Sequence, residues 1–310
     1  HSGIVGVFLG QVAGASIGVI LILGASRNVY VFHLYWDKCR TMLNYSLPLV
    51  LSSIAVFINL NVDRIAIKEL MTVSDVGIYG VGFRIASVMT LLLVGVQAAL
   101  TPLVFQNYRK DSTPIELARV LRYFLILAFG MTLFLSVLST ELVALFSVPE
   151  YYQAAAIVPI MAATFLFANL YIFSPGLFLA KKTKLVAIIG IFVACLNIFL
   201  NTWLISRYGI IGAASATCIS AVVGFVAIVY YSQAYYRVPY DWRRLILASA
   251  IVLSALFFSG IVFEERVWES LLFYKAVYLL VFTLLLIFVL LKRDEFLSVM
   301  ARLCPGNLKV

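Results

Sequence analysis

Nine apolar stretches, each about the ~20 residues that cross a bilayer as a helix, are separated by loops that alternate between rich and poor in Lys and Arg. The stretches fall near 4–24, 47–68, 78–104, 120–140, 153–180, 185–206, 210–231, 245–263 and 271–291. One set of loops carries Arg27, Lys38 and Arg40; Arg109, Lys110, Arg119 and Arg122; Lys181, Lys182 and Lys184; Arg237, Arg243 and Arg244; and Lys292, Arg293, Arg302 and Lys309. Those are 17 of the 23 Lys and Arg, enough to predict that this side is cytoplasmic, that the first residue lies outside and that the C-terminus lies inside. The opposite loops hold mostly acids, among them Glu69, Asp75, Glu141, Glu150, Glu264, Glu265 and Glu269. The predicted fold class is therefore all-α, a polytopic membrane bundle of nine helices.

A composition of 64% hydrophobic and 12% charged residues excludes an ordinary soluble domain. The net charge of +9 is topogenic on this reading and faces membrane lipid, so no nucleic-acid partner is expected. The four cysteines lack the spacing of a metal site or a disulfide framework. With His1 and His33 the only histidines and the outer loops short, no catalytic constellation can be assembled, and the chain is not expected to be an enzyme. The chain opens on His1, and its first stretch runs inward with nothing before it to bring it outside. Further helices are expected to precede it.

Small residues form two ladders. Gly6, Gly10, Gly14 and Gly18 recur every four residues on the first helix, and Gly212, Ala216, Ser220 and Gly224 do so on the seventh. Each gives a smooth stripe along which a neighbouring backbone can approach. Six crossings separate them, as expected for a parallel repeat of six helices about an axis normal to the membrane. The predicted organisation is then 1–24 as the last helix of an N-terminal lobe, 25–46 as a cytoplasmic linker and 47–231 as a six-helix C-terminal lobe. An appended helix pair at 245–291 and a cytoplasmic tail at 292–310 complete it.

Polar side chains inside the helices are costly in lipid unless they face a cavity or one another. Arg84 lies about 10–12 Å below the outer surface at 1.5 Å per residue, too deep for easy snorkelling, and is expected to line a hydrated cavity. Arg64 sits near the outer end of the second helix; Lys275, a turn into the ninth, reads as an interfacial anchor. Asn197 and Asn201 share one helix face, and Thr217 lies as far beyond the turn at Tyr208-Gly209 as Asn201 lies before it. Asn59 and Asp63 approach the same level from the second helix. Oxygen donors from three helices suit a small hard cation such as Na⁺; an interhelical hydrogen-bond cluster is the other reading.

The run Asn44-Tyr45-Ser46-Leu47-Pro48-Leu49, then Asn59 to Ile67, then Val76-Gly77-Ile78-Tyr79-Gly80-Val81-Gly82-Phe83-Arg84-Ile85-Ala86 resembles the polysaccharide transporter family that includes the O-antigen flippases, in the multidrug/oligosaccharidyl-lipid/polysaccharide exporter superfamily. The resemblance continues at Leu196-Asn197-Ile198-Phe199-Leu200-Asn201 and at Arg207 to Thr217, with spacing kept along essentially the whole chain. It implies two six-helix lobes around a central cavity in a bacterial cytoplasmic (inner) membrane. It further implies alternating-access flipping of an undecaprenyl-diphosphate-linked oligosaccharide for O-antigen, capsule or exopolysaccharide synthesis. No cofactor is implied beyond Na⁺ or H⁺ as coupling ion, and polysaccharide polymerase and chain-length proteins are the implied protein partners.

On that basis Arg84 and then Arg64 would hold the diphosphate through charge-assisted hydrogen bonds, while Gln97, Asn169 and Tyr171 would contact sugars. Asn59, Asp63, Asn197, Asn201 and Thr217 would form the ion site. Pro102, Pro159 and Pro175, read as mid-helix prolines, would bend their helices. The alternatives are a cation-coupled multidrug exporter of the same superfamily, a lipid II flippase, and a membrane-embedded polymerase or ligase. A deep arginine, with every acid except Asp63 at or beyond a helix end, favours an anionic substrate.

Overall fold

The computed structural model describes residues 3–26, 35–262 and 268–291, and no strand occurs among them. The chain divides into two compact units, His1–Leu47 and Pro48–Val310. The first contains α1 (Gly3–Ser26) and the start of α2 (Trp36–Leu70). Helix α1 is apolar apart from Gln11, Ser16 and Ser26, and Gly10, Gly14 and Gly18 have open space where a Cβ would stand.

The second unit continues α2 and adds α3 (Val73–Ala86), α4 (Met89–Asn107), α5 (Thr113–Val137), α6 (Ser139–Phe146), α7 (Val158–Asn169), α8 (Gly176–Leu179), α9 (Thr183–Tyr235), α10 (Trp242–Val262) and α11 (Trp268–Leu290). Among the described residues seven helical segments are long and apolar enough to cross a membrane, and α9 carries two of the predicted stretches in one 53-residue run. The chain is a multi-pass, all-helical membrane protein.

Local chemistry accounts for the breaks. Helix α3 starts at a capping box in which Thr72 Oγ1 accepts from the Asp75 N–H while Asp75 Oδ2 accepts from the Thr72 N–H. The stretch predicted at 78–104 is divided at Ser87-Val88, where the Ser87 hydroxyl donates to the Arg84 carbonyl and Thr90 donates back to the Ser87 carbonyl. The stretch predicted at 153–180 is a 3₁₀ segment Pro149–Ile157, then α7, a second 3₁₀ turn Leu170–Phe173, and α8. Pro159 therefore opens α7 and Pro175 sits at a helix break, which corrects the mid-helix reading of both; Pro102 does lie inside α4. A proline tolerates the first turn because its missing N–H has no intrahelical partner there.

Helix α9 turns on itself at Gly209, with φ 58° and ψ −137°, a conformation that side chains rarely adopt. Across the turn a Cβ on Gly212 would come within 2.2 Å of the Leu204 carbonyl oxygen, and one on Gly224 within 3.1 Å of Val193. The second small-residue ladder thus faces the preceding arm of the same hairpin. Helix α7 is the hub of the unit: it packs on α9, α5 and α3, and buries Met161, Ala162 and Leu166. The appended helices α10 and α11 pack on each other and on α5.

Lys275 corrects a second expectation. It is buried at 6% exposure, and its Nζ pairs with Glu141 Oε1 at 2.5 Å, so it ties α11 to α6 and does not reach for an interface. Arg244, in the first turn of α10, pairs with Asp241 and donates to the carbonyl of Leu291 at 2.6 Å, closing the C-terminal end of α11.

Candidate functional site

Helix α3 has two chemically different faces. Ile78, Tyr79, Gly82, Ile85 and Ala86 are buried, and Gly82 sits so close to Ile157 that a Cβ would meet its side chain at 2.5 Å. Val73, Val76, Gly77, Gly80, Val81 and Arg84, spaced three to four apart, instead line a cavity of about 660 Å³. Gly80 has open space where a Cβ would stand, so the missing side chain contributes room to the cavity.

Arg64 of α2 closes one wall of this cavity, with Phe146, Ser147, Val148 and Tyr151 on another. Among the described residues the lining holds two arginines and no acid. The Arg64 guanidinium stacks over the Phe83 ring at 4.4 Å from its centroid. The Arg84 side chain is exposed, and among the described residues its guanidinium has no hydrogen-bond or ion-pair partner. The structure thus brings the two predicted cationic residues to one cavity.

The predicted sugar-contact residues divide. Gln97 and Tyr171 meet at a second cavity of about 180 Å³, together with Thr101, Phe105, Pro175 and Phe178. The Tyr171 and Phe178 rings lie 5.9 Å apart there. Asn169 does not line it. Its Nδ2 donates to the Phe165 carbonyl four residues back at 2.9 Å.

The predicted polar cluster assembles from α2 and the two arms of α9. Asp63 is 2% exposed and Asn197 and Asn201 are fully buried. Asp63 Oδ1 accepts from Asn201 Nδ2 and from Thr217 Oγ1, each at 2.8 Å. Asn201 Nδ2 also points at Asn197 Oδ1, at 3.1 Å, and Asn197 Nδ2 donates to Thr217 Oγ1 at 3.3 Å. The side chain of Asn59 lies outside the described residues. The Gly209 turn explains the convergence, because Asn201 and Thr217 stand at equal distance on either side of it and so at one depth.

One member of the cluster lay outside the sequence-based set. Tyr79, on the buried face of α3 and 1% exposed, donates its hydroxyl to Asp63 Oδ2 at 2.8 Å. In the sequence it stood only as part of the family-like run around Gly77 and Gly80. Its position five residues before Arg84, on the opposite face of one helix, was the available signal.

Asp63 has no ion-pair partner among the described residues; its acceptor sites are filled by a phenol, a carboxamide and a hydroxyl, all neutral. Asn201 Oδ1 is buried and accepts no hydrogen bond. An orphaned buried carbonyl oxygen beside a carboxylate that lacks an ion-pair partner among the described residues fits a hard cation, which takes oxygen donors. Among the described residues no three His, Cys, Asp or Glu side chains converge, so the donor set is one carboxylate with amide and hydroxyl oxygens.

Comparison with known proteins agrees with this architecture. Residues 1–156 match the model of a family described as polysaccharide biosynthesis protein. The probable low-salt glycan biosynthesis flippase Agl15 of Haloferax volcanii is 24% identical over 238 residues, covering 72% of this chain and 48% of that protein. The chain therefore spans about half the length of this curated relative. Among solved structures, the lipid II flippase MurJ in an inward closed conformation superposes with a TM-score of 0.54 at 19% identity, covering 94% of this chain and 61% of the other. At that identity the likeness concerns the fold, a helical membrane bundle. The family match spans half of the chain, and the chain belongs to the polysaccharide biosynthesis protein family.

Proposed function

We propose that the protein flips a lipid-diphosphate-linked oligosaccharide across the membrane for surface polysaccharide synthesis, by alternating access. In a bacterial inner membrane the carrier would be undecaprenyl diphosphate. One observation carries the reading: a cavity of about 660 Å³ whose lining includes Arg64 and Arg84 and, among the described residues, no carboxylate. A diphosphate is a compact dianion, and guanidinium groups bind phosphate oxygens through paired N–H donors. Stacking on Phe83 occupies the face of the Arg64 guanidinium, while its in-plane N–H groups stay available to the phosphate. Gln97 and Tyr171, with Thr101 and Phe178, offer an amide, hydroxyls and ring faces to sugar, as the second cavity. Asn169 spends one Nδ2 hydrogen on Phe165 and would contact sugar through its second N–H and its Oδ1.

The relatives' names support the reading, since both are flippases. A multidrug exporter of organic cations would need a carboxylate in the cavity, and among the described residues its lining has none. On this proposal 1–24 closes an N-terminal lobe, 25–46 links it to the lobe at 47–231, and 245–291 is an appended pair, with the 292–310 tail in the cytoplasm. Polymerase and chain-length proteins would receive the flipped product.

Asp63, Asn197, Asn201 and Thr217, with Asn59 as a further donor, would hold Na⁺ as coupling ion; H⁺ on Asp63 is the alternative. A bound cation supplies the positive charge that the Asp63 carboxylate lacks. The chain's own part is to orient the oxygens: the Gly209 hairpin sets the height of Asn201 and Thr217, and Thr217 directs its hydroxyl at Asp63.

The test is surface polysaccharide in cells whose gene for this protein carries Arg84→Ala. Export is expected to fall at least tenfold at normal expression, since a charge-assisted contact is worth about 1.5–3 kcal/mol. Wild-type polysaccharide levels in that variant would refute the assignment.

A further inference from the structure

The polar cluster and the cationic cavity are carried by the same two helices, back to back. On α2, Asp63 faces the cluster, and the next residue, Arg64, faces the cavity. On α3, Tyr79 faces the cluster, while Gly77, Gly80 and Arg84 face the cavity. Among the described residues two side-chain ties join the helices at this level. One is the hydrogen bond from Tyr79 to Asp63 Oδ2, and the other, one turn along α3, is the stacking of Arg64 on Phe83.

The Asp63 carboxylate divides its oxygens between helices. Oδ1 takes both donors from α9, Asn201 and Thr217, whereas Oδ2 takes Tyr79 of α3. Tyr79 cannot follow the carboxylate freely, because its ring is buried and its hydroxyl also lies 3.9 Å from Met161 Sδ on α7. Gly82 holds the next turn of α3 against Ile157 and the Ala154 carbonyl. Phe83, the other anchor, packs edge-on against Phe165 of α7 at 5.1 Å. A shift of the carboxylate toward α9 therefore either breaks the Tyr79 hydrogen bond or moves α3 as a unit.

We propose that Tyr79 is a positioning residue that couples the two sites: its hydrogen bond to Asp63 makes occupancy of the cluster by a monovalent cation change the affinity of the Arg64/Arg84 cavity for a lipid diphosphate. The proposal rests on the cation and diphosphate readings given above. A cation on the carboxylate competes with the phenol for Oδ2, and release of Tyr79 frees α3 to reset Arg84 and the Arg64–Phe83 stack. By linkage, the diphosphate that draws Arg64 off Phe83 changes cation affinity by the same factor.

The experiment uses the purified protein in lipid nanodiscs with undecaprenyl diphosphate as probe. Its affinity is measured in NaCl and in choline chloride at equal ionic strength, because phosphate binding responds to salt in general. Stabilisation by Na⁺ is measured in parallel by thermal unfolding. The wild type is expected to show an affinity ratio on the order of tenfold between the two salts. Tyr79→Phe should bring that ratio to about one while retaining stabilisation by Na⁺. Phe83→Leu, which cuts the other tie and leaves the cluster untouched, should also lower the ratio.

A wild-type ratio in Tyr79→Phe, or in Phe83→Leu should the first variant not fold, overturns the coupling role and leaves the cation reading standing. Loss of Na⁺ stabilisation in Tyr79→Phe overturns it too, by making Tyr79 part of the cation site itself. A wild type that Na⁺ neither stabilises nor alters in affinity overturns the cation reading and the coupling with it.

Discussion

Changing Lys275 to Ala removes the cation from a shielded pair. Lys275 is 6% exposed, its Nζ lies 2.5 Å from Glu141 Oε1, and the second oxygen of Glu141 is buried without a hydrogen-bond partner. Breaking a buried pair from one side costs about 3–5 kcal/mol, because the remaining charge is stranded. The Glu141 side chain keeps 19% of its exposure, which lets water reach part of it. The expected cost is therefore somewhat below that range, ~2–3 kcal/mol. In a chain of this size that corresponds to a fall of about 3–5 °C in apparent melting temperature.

Replacing both partners, as Lys275→Met with Glu141→Gln, should restore most of the loss, since neutral groups in place of a buried ion pair are often tolerated. The assay is fluorescence-detected thermal unfolding of the purified protein in detergent. A melting temperature for Lys275→Ala within about 1 °C of wild type would refute the reasoning. So would a double variant no more stable than the single one.

Three further outcomes follow from the packing. Gly80→Leu would project into the open space of the Arg64/Arg84 cavity; polysaccharide export should fall sharply with little change in melting temperature, whereas equal loss of both would show that the site is structural. Gly176→Ala would place a Cβ 2.2 Å from the Ser232 carbonyl oxygen and should cost ~1–3 kcal/mol of stability, against little change for Gly190→Ala, whose site is open. Gly209→Ala forces a side chain onto φ 58° and should cost ~1–3 kcal/mol, read as a lower melting temperature; an unchanged value would mean that the hairpin turn relaxes.

Much of the site was legible because membrane helices make depth readable from residue counting. Asn197 and Asn201 at i, i+4, and Thr217 at the mirror position across Gly209, converge as spacing predicts. Arg84 and Arg64 share a cavity because α3 presents every third or fourth residue to one side. What was not legible depends on how separate helices dock. The Lys275–Glu141 pair joins residues 134 apart, and a lysine one turn into a helix looks alike whether it snorkels or meets an acid from a neighbour. Tyr79 was missed for a similar reason, since a tyrosine near a helix end is most simply an interfacial ring. The breaks in 78–104 and 153–180 arise from hydroxyl-to-backbone bonds and from prolines, which an unbroken run of hydropathy masks.

The most direct test of the cation site at Asp63 is the thermal stability of the purified protein in NaCl compared with choline chloride, for wild type and for Asp63→Asn. If the Asp63 cluster holds Na⁺, the wild type gains about 2.7 kcal/mol at a hundredfold excess over the dissociation constant. Asp63→Asn should lose that gain while keeping a folded baseline in choline, because the amide still fills the space without the charge. Equal stability of the wild type in the two salts, or an undiminished Na⁺ effect in Asp63→Asn, would contradict a cation held by Asp63.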